Sequence, residues 1–241
     1  MKEKVTYILF LLFAAVSPLC AQGDDAALYL SEAAESALLW RGKQAMPYSF
    51  AFNGTYYLYT PKFQPGNVAY NGKIYNGVEM NVDAYAQQLL IRPENSVNTK
   101  IAIRDHVEAF ELDGRKYMNP QKYGISDLPE GFYEVLWQGE ATVLRSRVKL
   151  LRDNSEAKRS LADYSGPYRP GVGKIFIVKE TIYHIDAAGS ITRIKNRSAL
   201  YNCYKSRKRD IKRHVRGVEG DRILPLDMVV TTVMNFVEGG R

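Results

Sequence analysis

Hydrophobic and polar positions change their period several times along this chain, and each change predicts an element. Lys2 and Lys4 precede an almost unbroken apolar run from Tyr7 to Val16, which Pro18 breaks before Leu19-Cys20-Ala21. The run is short for a bilayer span, so residues 1–21 read as a secretory signal peptide cleaved after Ala21, not as a retained transmembrane helix. Lipidation of Cys20 is the rival reading, and Ser17-Pro18-Leu19 suits it poorly. Leu30, Ala33, Ala34, Ala37 and Leu38 then follow helical spacing. They predict a helix over 24–41, capped by Asp24 or Asp25 and stopped at Gly42, within an N-terminal helical segment 22–45.

From Tyr48 the pattern turns to strands. Ser49 to Thr60 is rich in Phe and Tyr, and Asn71-Gly72 and Asn76-Gly77 follow. Asn-Gly marks hairpins because a type I′ turn needs positive φ at both central residues. Val78 to Ile91 reads as one alternating strand. Phe110 to Leu112 and Arg115 to Met118 flank the turn signal Asp113-Gly114. Phe132–Gln138 with Ala141–Leu151, and Ile175–Ile185 with Ser190–Lys195, form further hairpins. Strands in this sequence, with glycine turns and no helices between them, predict a mainly β fold. The expected architecture is an antiparallel meander over 46–198, as a curved sheet, sandwich or partial barrel. A polar stretch, 153–173, is long for a connection and is either functional or a mobile surface loop. A basic C-terminal helical segment, 199–241, completes the chain. It is expected as one helix from Ala199 to Arg216 ended by Gly217, then another from Leu226 to Val237 between Pro225 and Gly239.

Several stretches resemble secreted cell-envelope proteins of Bacteroidota, a group without a described activity. They are Gly66-Asn67-Val68-Ala69-Tyr70-Asn71-Gly72-Lys73-Ile74-Tyr75, Met80-Asn81-Val82-Asp83-Ala84-Tyr85, Gly131-Phe132-Tyr133-Glu134-Val135-Leu136 and the basic run Ser206 to Arg216. The Leu-Cys-Ala-Gln sequence at 19–22 is also typical of that group. The resemblance covers about residues 62–216. It implies export to a Gram-negative periplasm or to the periplasmic face of the outer membrane. It implies no catalytic residues.

Composition fits a globular chain: of 241 residues, 46% are hydrophobic and 24% charged, which excludes a disordered protein. Removal of the leader lowers the net charge from +7 to +6 and leaves Cys203 alone, so no internal disulfide is expected. The basicity is local. Nine Lys and Arg face one acid, Asp210, between Lys195 and Arg216, so that stretch carries +8 and the rest of the mature chain about −2. Ile211 and Val215 give this run a narrow apolar stripe. A second strip, Arg145, Arg147 and Lys149, alternates with Leu144, Ser146, Val148 and Leu150, which puts its cations on one strand face. The candidate anion- or partner-binding residues are therefore Lys205, Arg207, Lys208, Arg209, Lys212, Arg213 and Arg216, with Arg145, Arg147 and Lys149. In an exported protein such patches favour anionic lipid head groups, lipopolysaccharide phosphates or an acidic protein over nucleic acid.

Catalytic patterns fail on inspection. His106, His184 and His214 lack zinc-ligand spacing, and no metal or cofactor is expected. Ser155-Glu156-Ala157-Lys158 matches Ser-x-x-Lys without the partner motifs of a serine acyl-enzyme. Gly171-Val172-Gly173-Lys174 lacks the remaining residues of a phosphate loop. Asp105, Glu108, Glu111 and Asp113 read as solvated strand charges, not an acid–base pair. Tyr56, Tyr57, Tyr59, Tyr70, Tyr75 and Tyr85 either line a groove or fill half-buried strands, the second being the ordinary role. The sequence thus points to a non-catalytic envelope protein that binds through a sheet face and a basic C-terminal helix. A periplasmic carrier of a lipid or apolar molecule is the alternative, and an envelope hydrolase a more distant third.

Overall fold

A computed structural model describes residues 38–154 and 169–239, together with Leu28. The signal segment, most of the expected N-terminal helix and Ser155 to Lys158 lie outside the described residues. Within the expected N-terminal helix only Leu28, which is helical, and a 3-10 turn, Leu38–Arg41, are described, and the turn buries Leu39 and Trp40.

The fold is mainly β. Ten strands form one antiparallel sheet: β1 Gln64–Tyr70, β2 Lys73–Asp83, β3 Gln88–Arg92, β4 Lys100–Ile101, β5 Val107–Leu112, β6 Arg115–Met118, β7 Tyr133–Gln138, β8 Thr142–Asp153, β9 Lys174–Ile185 and β10 Ile191–Ile194. Their order is β10-β9-β8-β7-β6-β5-β1-β2-β3-β4. Neighbours in sequence are neighbours in space except once, where the chain leaves β4 through a 3-10 turn and places β5 against β1.

Turn chemistry sets the register at two hairpins. Asn71 and Gly72 have φ of 52° and 76°, and Asp113 and Gly114 have 54° and 68°. Each pair joins adjacent strands with Tyr70 opposite Lys73 and Leu112 opposite Arg115. Asn76-Gly77 does not turn the chain. It lies inside β2 at a register shift between Gly66 and Val68, where the Gly77 amide donates to Asn67 Oδ1 at 3.3 Å. A positive-φ glycine serves a bulge as readily as a hairpin. The expected single strand from Val78 to Ile91 is instead two strands. Asp83 breaks it by accepting the Tyr85 and Ala86 amides at 2.9 and 2.8 Å, a local bond that competes with the ladder.

Ser49 to Thr60 is not a strand. It is a strap of bends with isolated bridges to both sides of the sheet. Asn53 exchanges backbone bonds with Lys174 and Phe176 of β9, while Leu58 and Tyr56 bond Val82 and Ala84. Its aromatic residues make a cluster instead of a ladder: Phe52 meets Phe176 edge-on at 4.8 Å between centroids, and Tyr48 meets Tyr56 at 4.9 Å. The sheet curls until the β2–β3 turn reaches β8, where the Lys149 amide donates to the Ala84 carbonyl at 2.9 Å. The ladder itself does not close.

Three α-helices are described: α1 Arg197–Cys203, α2 Lys208–Glu219 and α3 Leu226–Glu238. Ala199 to Arg216 is therefore two helices and not one. The break falls at Tyr204, whose φ and ψ of −122° and 56° are non-helical. Its hydroxyl is tied to His184 Nε2 at 2.8 Å and to Met234 Sδ at 3.3 Å, so a tertiary anchor redirects the chain. Gly217 lies within α2, which ends at Gly220.

Two cores share one sheet face. Phe110, Tyr117, Glu134, Arg145, Ile182 and Ile194 are successive cross-strand partners from β5 to β10. Phe110 and Tyr117 belong to a cluster with Tyr70, Met80, Leu89 and Trp40. Ile182 and Ile194 belong to a second, with Leu200, Ile211, Val215, Val229 and Val233 of the helices. Between them the row is charged. On the opposite face Met118, Tyr133 and Leu144 pack under Leu128.

Candidate functional site

The strand cations do not form the solvent-facing strip that their alternation predicts. Arg145 is enclosed, its side chain 11% exposed. Its Nε and Nη2 donate to Glu134 at 2.8–3.0 Å, and its Nη1 donates to Asp227 of α3 at 2.7 Å. Burial opposes its charge, but the bonds and charge of Glu134 outweigh this and raise its pKa. Arg147 pairs through Nη1 with Glu180 at 3.2 Å. The Tyr59 ring lies against both the Arg147 and the Arg115 guanidinium, each 4.5 Å from its centroid, and the Tyr59 hydroxyl donates to Glu134 at 3.3 Å. Lys149 is buried, 2% exposed. Burial, then the nearby Arg147 charge, lowers its pKa to about 8. The period-two pattern put these residues on one face correctly, but that face lies between the two cores and under the strap.

The helical cations divide into two sets. Arg207 donates to the carbonyls of Val237 and Phe236 at 3.0 and 3.2 Å and lies over the Phe236 ring. It caps the last turn of α3, where cations complement the helix dipole. Lys208, half-buried at the start of α2, donates to Asn202 at 2.6 Å. Arg209, Lys212, Arg213 and Arg216 are exposed. Their spacing puts them on one side of α2, because Ile211 and Val215, its buried residues, hold the other side in the core. Asp210 reaches Arg213 at 3.5 Å, an exposed pair. Among the described residues no ion pair engages Lys205, Arg209, Lys212 or Arg216.

Residues weighed for catalysis are dispersed. His184 is 4% exposed, and burial lowers its pKa. His106 Nδ1 lies 3.3 Å from the Tyr70 hydroxyl, and His214 stacks on Phe236. Glu108 accepts the Gly72 amide at 2.7 Å, and Asp113 pairs with Arg115 at 2.8 Å. Among the described residues no group of His, Cys, Asp or Glu is arranged to hold a metal, and no helix is long and apolar enough to cross a membrane. Of the six tyrosines, Tyr70 and Tyr75 are core residues. Tyr56, Tyr57 and Tyr85 join the aromatic cluster, and Tyr59 joins the charged seam.

That seam, Arg115–Glu134–Arg145–Asp227 with Tyr59, was not anticipated. Its one sequence signal is Glu134, an acid set among Phe132, Tyr133, Val135 and Leu136 in a strand that otherwise reads as core. No protein-family model matches this chain, and comparison with curated proteins and with solved structures returns no match either.

Proposed function

We propose that this is a non-catalytic binding protein of the cell envelope that engages an anionic partner through the exposed side of α2. The observation that carries the reading is the contrast between the two cationic sets. Arg145, Arg147 and Arg207 are spent on internal partners and Lys149 is buried. Arg209, Lys212, Arg213 and Arg216 stand exposed on a helix that Ile211 and Val215 prevent from rotating. Each such cation contributes about 1 kcal/mol beside an anionic lipid surface and acts within a Debye length, about 10 Å in 0.1 M salt. The leader-like start of the chain and its resemblance to secreted Bacteroidota proteins support a periplasmic location. The carrier alternative has less support, because side chains such as Tyr70, Met80 and Phe110 fill the face that a lipid would occupy.

The test is sedimentation of the mature chain with phosphatidylglycerol vesicles over a salt series, beside pure phosphatidylcholine vesicles. Binding restricted to the anionic vesicles is expected to weaken with salt and to disappear in the R209E/K212E/R213E variant. Undiminished binding in that variant refutes the role of α2.

A further inference from the structure

On the side away from β8, β9 is paired at its two ends and open between them. At one end Asn53 of the strap donates to the Lys174 carbonyl at 2.9 Å and accepts from the Phe176 amide at 3.0 Å. At the other end β10 lies opposite Ile182 to Ile185 only, and just beyond it the Asp186 amide donates to the Ser190 carbonyl at 3.1 Å. From Phe176 to Ile182 is about 20 Å of extended chain at roughly 3.4 Å per residue. Among the described residues no strand pairs with that stretch on this side.

Strand alternation fixes which groups the open edge presents. Successive residues aim their amide and carbonyl at opposite neighbours. Lys174, Phe176 and Asp186, all even-numbered, aim theirs away from β8. The register of β9 on β8 runs without a shift from Lys174 to Ile185, so no bulge resets the count. Val178 and Glu180 therefore direct an N–H and a C=O each outward, and neither residue has a backbone partner there among the described residues. Lys179 and Glu180 are exposed and Val178 is half-buried, so the edge is open to solvent.

An unpaired edge is a template for another strand, and its side chains decide which strand. An antiparallel segment of three residues satisfies all four outward groups. Its first and third residues exchange paired bonds with Glu180 and Val178, and its central residue lies opposite Lys179. Phe176, from the even-numbered set, packs against Phe52 of the strap, so the Lys179 side chain lies on the other face. There its cross-strand partner is Val148, flanked by Ser146 and Leu150. Among the described residues no ion pair engages Lys179. Opposed side chains of a non-hydrogen-bonded pair are the closest in an antiparallel ladder, where like charges destabilise and opposite charges stabilise. A second copy of this chain, pairing Val178 with Glu180, would set one Lys179 directly against the other. A segment with a central acid meets the same lysine favourably.

We propose that the open edge of β9 captures an extended segment of another protein as an added antiparallel strand, with Asp or Glu opposite Lys179. Backbone bonds to Val178 and Glu180 supply the affinity, and the central acid supplies the selectivity. Glu180 already has Arg147 at 3.2 Å, so the residue opposite it is uncharged. The site shares no residue with the exposed side of α2 and stands or falls separately from the role proposed for that helix.

Titration of the isotope-labelled protein with acetyl-Thr-Thr-Glu-Val-Thr-amide to millimolar concentration, followed by the NMR amide shifts of Val178 and Glu180, tests the proposal. Both amides are expected to shift and saturate. N-methylation of the second and fourth peptide residues, whose N–H groups face the edge, is expected to abolish the shifts. N-methylation of the central Glu, whose N–H faces away, is expected to preserve them. A central Lys in place of Glu is expected to weaken binding by about three- to tenfold, and Lys179→Glu is expected to reverse that preference. R209E/K212E/R213E is expected to bind the peptide as the parent does. Shifts that ignore the edge-facing N-methyl groups, or that vanish in R209E/K212E/R213E, overturn the proposal. So does an unchanged preference in Lys179→Glu, and so do Val178 and Glu180 amides that do not shift.

Discussion

Lys149 is a buried amine whose protonated form the fold disfavours, and its replacement by Met gives a stability change whose pH dependence is set in advance. The pKa falls from 10.5 to about 8 on folding. At about 1.4 kcal/mol per unit, the charged lysine costs the folded state about 3 kcal/mol. Below about pH 8 the amine is protonated in both states and the full cost applies. Between about 8 and 10.5 the unfolded chain holds the proton more firmly, so stability rises with pH. Above 10.5 both states are neutral and the cost is gone. Met keeps most of the aliphatic stem and removes the charge. Lys149→Met is therefore expected to be more stable than the parent at pH 7 by up to about 3 kcal/mol, with the advantage fading as pH approaches 10.5. Urea unfolding of both proteins at several pH values measures this. The tyrosines titrate in the same range, and taking the difference between the two proteins removes their contribution. A difference that stays constant from pH 7 to pH 10 refutes the reasoning, because only the titration of Lys149 separates the two curves.

Further outcomes follow from the charged seam, Gly42 and the tyrosines. Glu134→Ala and Arg145→Ala each leave a nearly enclosed charge short of its partner and are expected to cost about 3 kcal/mol. The double variant should lose far less than their sum, and additivity in urea unfolding would show that the pair is not coupled. A Cβ at Gly42 would collide with the Ile101 carbonyl oxygen. Gly42→Ala is thus expected to destabilise by about 1–3 kcal/mol through overpacking, and an unchanged urea midpoint would contradict that fit. Burial pushes Tyr123 and Tyr133 up to about 12 from 10.0. The folded state keeps these protons after the unfolded chain has released them, so stability is full below pH 10 and is lost as pH rises from 10 towards 12. Tyrosinate absorbance should then appear together with unfolding. Its full development in the folded protein near pH 10 would contradict the burial.

What the sequence determined by itself was local. Asn71-Gly72 and Asp113-Gly114 turn the chain because their backbones accept positive φ, whatever lies around them. Alternation marked most of the strands, and Ile211 and Val215 marked the buried side of α2. These signals act within a few residues, so they survive in a one-dimensional reading. Asn76-Gly77 shows the limit even there, because the same dihedral preference serves a turn or a bulge and only the neighbouring strand decides.

The tertiary structure decided what covers each face. Alternation placed Arg145, Arg147 and Lys149 together but carried no information about the register that sets Glu134 opposite Arg145, or about Asp227 and the strap, which lie far away in the chain. The aromatic content of Ser49 to Thr60 suits a strand and a packed surface cluster equally, and bonds to β2 and β9 chose the cluster. Tyr204 breaks a helix whose local pattern is continuous, because its hydroxyl meets His184 and Met234. Propensity and period act on neighbours in sequence, whereas the electrostatic balance of a site is struck among neighbours in space.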